Sequence, residues 1–266
     1  MTTAQDRDRH VRRLASAIGA RLSQQPADLV VLPELSTIDY SRAAFERLDH
    51  LAEPIDGPSF RTFSVLAREH NTHLLYGMPR THDGKVLITA VLINPEGEYG
   101  GHYDKLHLAQ FGDSMEREFF VAGDHLHVFE INGIRIAPII CYDIRMPELI
   151  RTLALRHDVQ LILHCGAYTR DPTFYSWRPF VVTRALENRV IILSLNRAGD
   201  RWGSSVFCPP FVDEQHRELV FGAKEELRYL EVSTTTIDAA REIAPFVEDR
   251  LDSYADLPLL DVTSAE

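Results

Sequence analysis

Two successive series of helical segments and short apolar runs follow one another along this chain. In the first series, apolar residues recur at helical spacing within residues 6–23, and an apolar run at 29–32 then ends at Pro33 and Glu34. A second helical segment lies at 58–71. This alternation indicates helices packed on buried strands. Three further strands are predicted at 72–80, 86–98 and 99–108.

The second series repeats this order after a polar loop at 110–123. Two predicted strands within residues 125–143 are joined at Asn132-Gly133, a pair that favours a tight hairpin. A helix follows at 147–157. The remaining predicted elements are a strand at 159–167, a helix at 171–189 capped by Asp171, a strand at 190–199, and hairpin strands at 203–215 and 227–234.

Such a chain is expected to form two sheets packed face to face with helices outside, an α/β fold in a four-layer α-β-β-α sandwich. A length of 266 residues also admits two smaller domains. No Gly/Ser linker or change in composition divides the chain. We therefore predict a single domain over residues 1–266, with a C-terminal tail at about 255–266.

The charge of the chain excludes several classes of partner. Its 28 basic and 39 acidic residues give a formal net charge of −11, which repels phosphate backbones and anionic membrane surfaces. No apolar run approaches the roughly 18 to 20 residues that span a bilayer, and the first residues lack the apolar region of a signal peptide. We expect a cytoplasmic protein with neither nucleic acid nor membrane as partner.

The cysteines and histidines do not form a recognisable metal or disulfide pattern. Cys141, Cys165 and Cys208 are too few for a disulfide framework and lack paired C-x-x-C spacing. His125 and His127 have no accompanying carboxylate pattern in the sequence. The sequence thus predicts neither a bound metal nor a cofactor.

Three reactive side chains lie at the ends of predicted strands. Glu34, Lys105 and Cys141 each follow an apolar or strand-like run. Ligands usually bind where strands end in sheets covered by helices. A thiol can attack a carbon bonded to nitrogen, a carboxylate can act as base, and an ammonium group can offset the carboxylate charge and stabilise an oxyanion.

Each of these residues alone also has an ordinary interpretation. Glu34 could be a loop carboxylate, Lys105 a solvated lysine of an edge strand, and Cys141 an inert core thiol. Cys165 follows His164, but neighbours on a strand point to opposite faces, so we expect Cys165 to be a core residue.

The three stretches together resemble the local signatures of a known family. VVLPELS, YDKLHL and CYDIRMPEL occur in the order of the three signatures of the nitrilase superfamily of carbon-nitrogen hydrolases. The resemblance extends from about Leu29 to about Tyr254 and includes TRALENRVIILSLNRAG. Each motif alone is weak, but the three in order form a strong signal.

The resemblance implies a role for each residue. Glu34 would be the general base, Lys105 the cation that stabilises the oxyanion, and Cys141 the nucleophile that forms a thioester with the acyl group. The backbone N–H of Tyr142 would complete the oxyanion hole. No cofactor is implied.

The resemblance also implies a second glutamate in the site. The family carries a second glutamate about seven residues before a glycine, and counting back from Gly123 gives Glu116, with Glu118 as its near competitor. We favour Glu116, in a positioning role.

Independently of the resemblance, Tyr142 and Tyr168 are candidates for lining the substrate pocket. Arg145 and Glu148 are candidates for binding substrate, with the alternative that charges at a helix start complement the dipole or form surface pairs.

Two departures from the family pattern stand out. Only MTTAQ precedes the first helix, where the family has a strand, so the first strand is expected to be shortened or lost. The usual Asn-Trp after the fourth strand is replaced by Gly-Ala-Tyr at 166–168. Because the family places this loop beside the nucleophile, we expect an altered substrate preference.

We therefore predict an amide hydrolase that acts on a small ω-amide or carbamoyl substrate, since Cys-Tyr-Asp replaces the Cys-Trp-Glu of true nitrilases. A true nitrilase is the first alternative, and a non-catalytic homologue that binds a partner is the second. The resemblance also implies a homodimer or a higher homo-oligomer, with the dimer formed through the helix at 147–157 and the helix from Asp171.

Overall fold

The strands of the protein form two separate sheets. The structure, a computed structural model, describes residues 1–243, 245–251 and 253–259. The first sheet has the order β1-β2-β3-β4, formed by Leu29–Val31, His73–His82, Lys85–Ile93 and Tyr99–Asp104. The second has the order β10-β9-β8-β7-β6-β5, in which the strands β5 to β10 are Phe129–Ile131, Ile134–Ile140, Leu161–Cys165, Ile191–Leu195, Val206–Cys208 and Leu219–Val220.

Helices cover the outer face of each sheet. The α-helices α1 to α7 are Ala4–Leu22, Arg42–Phe45, Leu48–Leu51, Pro58–His70, Pro147–Arg156, Trp177–Asn188 and Thr234–Ile243. Short 3₁₀ helices lie at Glu116–Glu118, Cys141–Arg145 and Phe174–Ser176. Among the described residues, no helix combines the length and the apolar character needed to cross a bilayer.

The side chains of β2 show how the layers form. Leu74, Tyr76 and Met78 belong to a core cluster shared with α1 and α4, whereas Leu75 belongs to the larger cluster that includes both sheets, α5 and α6. Successive side chains of a strand point to opposite faces, so β2 packs on helices with one face and on the second sheet with the other. The predicted four-layer sandwich is thus present.

Parallel pairing in the second sheet brings strand ends together at one edge. Ile140 of β6 pairs with Cys165 of β7, which pairs with Leu195 of β8. The carboxyl ends of these three strands therefore lie side by side, and Cys141 follows directly after β6. This edge positions the site described below.

Several boundaries agree with the sequence expectations. The segments predicted as helices at 6–23 and 58–71 form α1 and α4. The predicted hairpin at Asn132 and Gly133 is also correct, with φ values of 50° and 79° that suit a tight turn.

Two predicted elements are wrong. The helix expected from Asp171 begins at Trp177, because Asp171 Oδ1 accepts hydrogen bonds from the backbone and hydroxyl of Thr173 and closes a local turn. The strand expected at 227–234 is not formed; β10 lies earlier in the chain and pairs with β9.

The two ends of the chain were also singled out from the sequence. Among the described residues no strand precedes α1, in line with the expectation of a shortened or lost first strand. Of the tail expected at about 255–266, residues 260–266 lie outside the described part of the chain.

Candidate active site

Glu34 lies in the turn that follows β1 and is fully buried. The turn packs directly on β2, where a side chain at Gly77 would place its Cβ 2.5 Å from the backbone nitrogen of Leu35. Ser36 Oγ donates to the Gly77 carbonyl at 3.1 Å and accepts from the Gly77 N–H at 3.2 Å. Leu35 adopts a φ of 48°, so the turn is tight as well as close to the sheet.

Arg197, just after β8, binds the other side of this turn. Its Nη1 donates to the carbonyls of Glu34 at 3.0 Å and Leu35 at 2.8 Å, and its Nη2 donates to the carbonyl of Ile38 at 2.8 Å. The turn that carries Glu34 is therefore held by the second sheet as well as by the first.

Lys105 lies between two carboxylates. Its Nζ donates to Glu34 Oε1 at 2.7 Å and to Glu116 Oε1 at 2.6 Å, and all three side chains are fully buried. The Lys105 backbone is fixed in turn, since its N–H donates to Ile88 of β3 and its carbonyl accepts from Gly123. Charged hydrogen bonds of this length away from water are strong.

Of the two candidate glutamates, Glu116 contacts Lys105 and Glu118 does not. Glu116 Oε1 also accepts from the Tyr40 hydroxyl at 2.8 Å, and Oε2 accepts from the Ala109 N–H at 2.8 Å. Glu118 is exposed and pairs with Arg42 at 2.9 Å. The 3₁₀ turn at Glu116–Glu118 thus directs one glutamate to Lys105 and the other to solvent.

Cys141 begins a 3₁₀ helix with a φ of 46°, in the left-handed region that favours glycine. Asp143 holds this turn: its fully buried carboxylate accepts from the Ile140 N–H at 3.0 Å and from the Tyr103 hydroxyl at 2.7 Å. A strained backbone at the end of a strand aims the thiol of Cys141 into the site.

His107 joins the lysine segment to the cysteine segment. Its backbone N–H and its Nδ1 lie 3.0 and 2.7 Å from Asp143 Oδ1. The hydrogen bond to Asp143 raises the pKa of His107. A direct contact between His107 and Asp143 therefore connects the sequence motif of Lys105 to the sequence motif of Cys141.

The ionisation states follow from burial and neighbouring charges. Burial raises the pKa of Glu34 to about 7, against the opposing charge of Lys105 and with the support of Glu116. Burial alone would lower the pKa of Lys105, but the two carboxylates raise it well above its usual value. The ammonium group is therefore present throughout the neutral range.

The thiol of Cys141 is protonated at rest. Burial and the charge of Glu34 raise its pKa well above the usual range, although Lys105 acts in the opposite direction. The charge of Lys105 thus opposes the effect of the carboxylate on the thiol pKa, which is the direction expected from the sequence. Glu34 Oε2 is buried without a well-formed hydrogen bond, and the thiol is the neighbouring donor that lowers the pKa of Glu34. A proton acceptor lies beside the thiol.

A cleft opens above Cys141. Tyr142, Tyr168, Arg145 and Tyr40 line it together with the thiol. The guanidinium of Arg145 lies 5.0 Å from the ring centre of Phe111, and its Nη2 donates to Ser176 Oγ at 3.1 Å. Its Nε is buried without a hydrogen-bond partner. In the described part of the chain, Arg145 forms no ion pair with a carboxylate.

The structure thus brings the seven predicted site residues into one region, and it adds others. Asp143 and His107 lie within the motifs quoted above, so their position beside Cys141 and Lys105 in the sequence was a usable signal. Tyr40 and His164 had no local signal, because their contacts join distant segments, whereas Arg197 lies within the segment TRALENRVIILSLNRAG quoted above.

Away from this site, one polar cluster has spacing suited to metal ligands. The ligand atoms of this cluster, in His102, Asp104 and His125, lie within 4.8 Å of one another. The sequence pattern did not show that the Asp104 carboxylate lies near these histidines. Both oxygens of Asp104 already accept from Arg80, at 3.2 and 2.6 Å. An ion pair occupies this carboxylate, and the cluster does not fit a metal site.

Comparison with known proteins decides the family. The carbon-nitrogen hydrolase family profile matches residues 1–240. The chain belongs to the carbon-nitrogen hydrolase family. The resemblance predicted from three short motifs is confirmed, and so is the prediction that this protein is a hydrolase of carbon-nitrogen bonds.

Relatives of this carbon-nitrogen hydrolase include two proteins named as amidases. A 2-oxoglutaramate amidase from Bacillus subtilis is 31% identical, over 86% of this chain and 87% of that protein. An (R)-stereoselective amidase from a Pseudomonas species is 30% identical, over 84% of this chain and 79% of that protein.

Solved structures agree with the fold. A carbon-nitrogen hydrolase superfamily protein from Xanthomonas campestris, solved with an arsenic adduct in its active site, is 25% identical with a TM-score of 0.78. It aligns over 92% of this chain and 91% of that one. The predicted α/β sandwich is confirmed.

Proposed function

We propose that this hydrolase cleaves the C–N bond of a small amide through a thioester on Cys141. The observation that carries the proposal is the buried arrangement of Lys105 between Glu34 and Glu116, with the Cys141 thiol beside Glu34. A base, a nucleophile and a cation for the oxyanion are the parts that acyl transfer requires. The amidases among the relatives support the same reaction class.

In the first half of the reaction, the sulfur of Cys141 attacks the carbonyl carbon of the amide. The thiol proton passes to Glu34, and the carbonyl oxygen takes up the electron pair. The ammonium of Lys105 and the N–H of Tyr142 stabilise this oxyanion. When the oxyanion collapses, the C–N bond breaks, Glu34 returns the proton to nitrogen, and ammonia or an amine leaves.

In the second half, water attacks the thioester. Glu34 accepts a proton from the water, the C–S bond breaks, and the sulfur recovers the proton as the acid product leaves. Glu34 therefore acts twice as base and twice as acid. A carboxyl group whose pKa lies at about 7 suits this exchange near neutral pH. Glu116 serves to position Lys105.

The cleft favours an amide that also carries a negative charge. Arg145 lies on the cleft wall with its Nε unpartnered, and three aromatic rings lie near its guanidinium. A carboxylate on the substrate would satisfy Arg145 with paired hydrogen bonds. We therefore propose an ω-amide of a small carboxylic acid as the substrate class.

A panel of small amides tests this proposal, with ammonia release as the measurement. We expect turnover of ω-amides that carry a free carboxylate, slower turnover of their neutral analogues, and still slower release from the matching nitriles. Faster turnover of a nitrile than of its amide would assign the protein to the true nitrilases. Absence of turnover across the panel would contradict the proposal.

We propose that the whole chain acts as one domain, because residues of both sheets share one core cluster. We further propose a homodimer formed through α5 and α6, which light scattering would test. The three free cysteines are all buried, which supports action in the reducing cytoplasm.

A further inference from the structure

The backbone carbonyl of Cys141 accepts hydrogen bonds from two buried side chains. His164 Nε2 lies 2.9 Å from this oxygen, and the hydroxyl of Tyr168 lies 2.7 Å from it. His164 is fully buried at the end of β7, and Tyr168 is 8% exposed in the loop that follows. Neither side chain takes part in the reaction steps described above.

A third and a fourth side chain fix the orientation of His164. His164 Nδ1 lies 2.7 Å from Ser194 Oγ, and the indole N–H of Trp177 donates to the same oxygen at 2.9 Å. The Cys141 carbonyl can only accept a hydrogen bond, and the Trp177 indole N–H can only donate one. The position of every proton in this chain of hydrogen bonds is therefore fixed. His164 carries its proton on Nε2, and the Ser194 hydroxyl donates to Nδ1. Burial lowers the pKa of His164 to about 4, so the ring stays neutral in this chain of hydrogen bonds.

The side chain of Asn196 holds the backbone of Tyr168. Asn196 Oδ1 accepts from the Tyr168 N–H at 2.8 Å, and Asn196 Nδ2 donates to the Tyr168 carbonyl at 3.0 Å. Ser194 and Asn196 both belong to the segment at the end of β8. One segment of chain thus supports both donors to Cys141.

The geometry of the peptide unit links these contacts to catalysis. A peptide is planar and trans, so the carbonyl of Cys141 and the N–H of Tyr142 point in opposite directions. Tyr142 is the second residue of its 3₁₀ helix, where an N–H has no partner within the helix. Two buried donors hold the carbonyl, so the N–H is held on the opposite side of the peptide, and Tyr142 lines the cleft.

We propose that His164 and Tyr168 are positioning residues that hold the Cys141–Tyr142 peptide so that the Tyr142 N–H points at the oxyanion. This inference rests on the proposed function. It also accounts for the left-handed backbone at Cys141, since a non-glycine residue keeps that conformation only where its surroundings enforce it. Without the two donors, the peptide can rotate and the N–H turns away.

The test compares two reactions of the same thiol. Amide hydrolysis passes through a tetrahedral oxyanion at carbon. With methyl methanethiosulfonate, the thiol sulfur attacks the sulfenyl sulfur, the S–S bond of the reagent breaks, methanesulfinate leaves, and no tetrahedral oxyanion forms. The variants are Tyr168→Phe, which removes one hydroxyl, His164→Leu, which removes the ring donor, and His164→Gln, which restores an N–H donor. The matched control is Tyr76→Phe, since Tyr76 is fully buried in the other core cluster and its hydroxyl has no partner.

We expect Tyr168→Phe and His164→Leu each to lower kcat for the amide by about tenfold, less than the roughly 10²- to 10³-fold loss on removing an oxyanion donor outright. KM should change little. The rate of Cys141 modification by methyl methanethiosulfonate should stay within about threefold of wild type, because the thiol itself is not displaced. His164→Gln should recover part of the loss, and Tyr76→Phe should match wild type in both reactions.

Two results would overturn the inference. Parallel loss of hydrolysis and of thiol modification would indicate general distortion of the site, and unchanged kcat in both single variants would show that the contacts do not matter. Thermal unfolding of each variant identifies one that fails to fold, in which case Tyr168→Phe decides. If wild type hydrolyses no amide, the proposed function fails and this inference fails with it; if only the variants behave unexpectedly, the proposed function stands.

Discussion

Arg197 donates a hydrogen bond to the backbone carbonyl of Glu34 at 3.0 Å, across 163 residues of chain. The same guanidinium binds the carbonyls of Leu35 and Ile38. A strand end of the second sheet thereby holds the turn of the first sheet that carries the proposed base. The two sheets meet in one site because of contacts of this kind.

We expect Arg197→Lys to lower kcat by about tenfold, because one ammonium group cannot reproduce the planar fork that binds three carbonyls. Buried carbonyls left without a donor also cost about 1 to 3 kcal/mol of stability. Steady-state kinetics and thermal unfolding measure the two effects. Arg201→Lys, at an exposed position nearby, is the control, and equal behaviour of the two variants would contradict a positioning role for Arg197.

Substitution of Glu116 and Glu118 by glutamine should give opposite results. Glu116→Gln removes one of the two charges that hold Lys105, and we expect kcat/KM to fall about a hundredfold, as for other positioned charged groups. Glu118→Gln removes an exposed ion pair with Arg42 and should change kcat/KM by no more than about twofold. A larger effect at Glu118 would reverse the assignment of the second glutamate.

The pH dependence of kcat/KM should report the ionisation of Glu34. The proposed base must be deprotonated to accept the thiol proton, and burial raises its pKa to about 7. Activity is therefore present above about pH 7 and falls as the pH is lowered through that value, by about tenfold per unit. The measurement is a pH profile on a neutral amide, whose own charge does not change. A flat profile from about pH 5 to 7 would contradict Glu34 as the base.

Replacement of Arg145 should separate charged from neutral substrates. We expect Arg145→Met to raise KM for a carboxylate-bearing ω-amide by roughly tenfold or more, because a charge-assisted pair is lost. KM for the neutral analogue should change by no more than about threefold, since the stacked aromatic contacts of the cleft wall tolerate methionine. Equal effects on both substrates would show that Arg145 shapes the cleft without recognising a charge.

Much of this site was predictable from sequence because its main residues lie in three local motifs. Glu34, Lys105 and Cys141 each follow a strand, and strand ends meet at one edge. The four-layer arrangement followed from the order of helical and apolar segments. The register of β6, β7 and β8 then fixed where the edge lies.

The remaining contacts join segments that no local pattern connects. Tyr40 reaches Glu116 over 76 residues, and His164 reaches Cys141 over 23. In the sequence, nothing distinguishes His164 from the other residues of its predicted apolar strand. The start of α6 was misplaced for a local reason, since Asp171 closes a turn that sequence alone does not distinguish from a helix cap.

The most direct test of the account is to map the acyl group during turnover. The enzyme is mixed with an ω-amide, quenched rapidly with acid, digested, and examined by peptide mass spectrometry, with Cys141→Ala as the control. We expect the mass of the acyl group on the Cys141 peptide alone, and no turnover by the control variant. An acyl group on the Cys165 or Cys208 peptide, or continued hydrolysis by Cys141→Ala, would contradict the central claim that this thiol is the nucleophile.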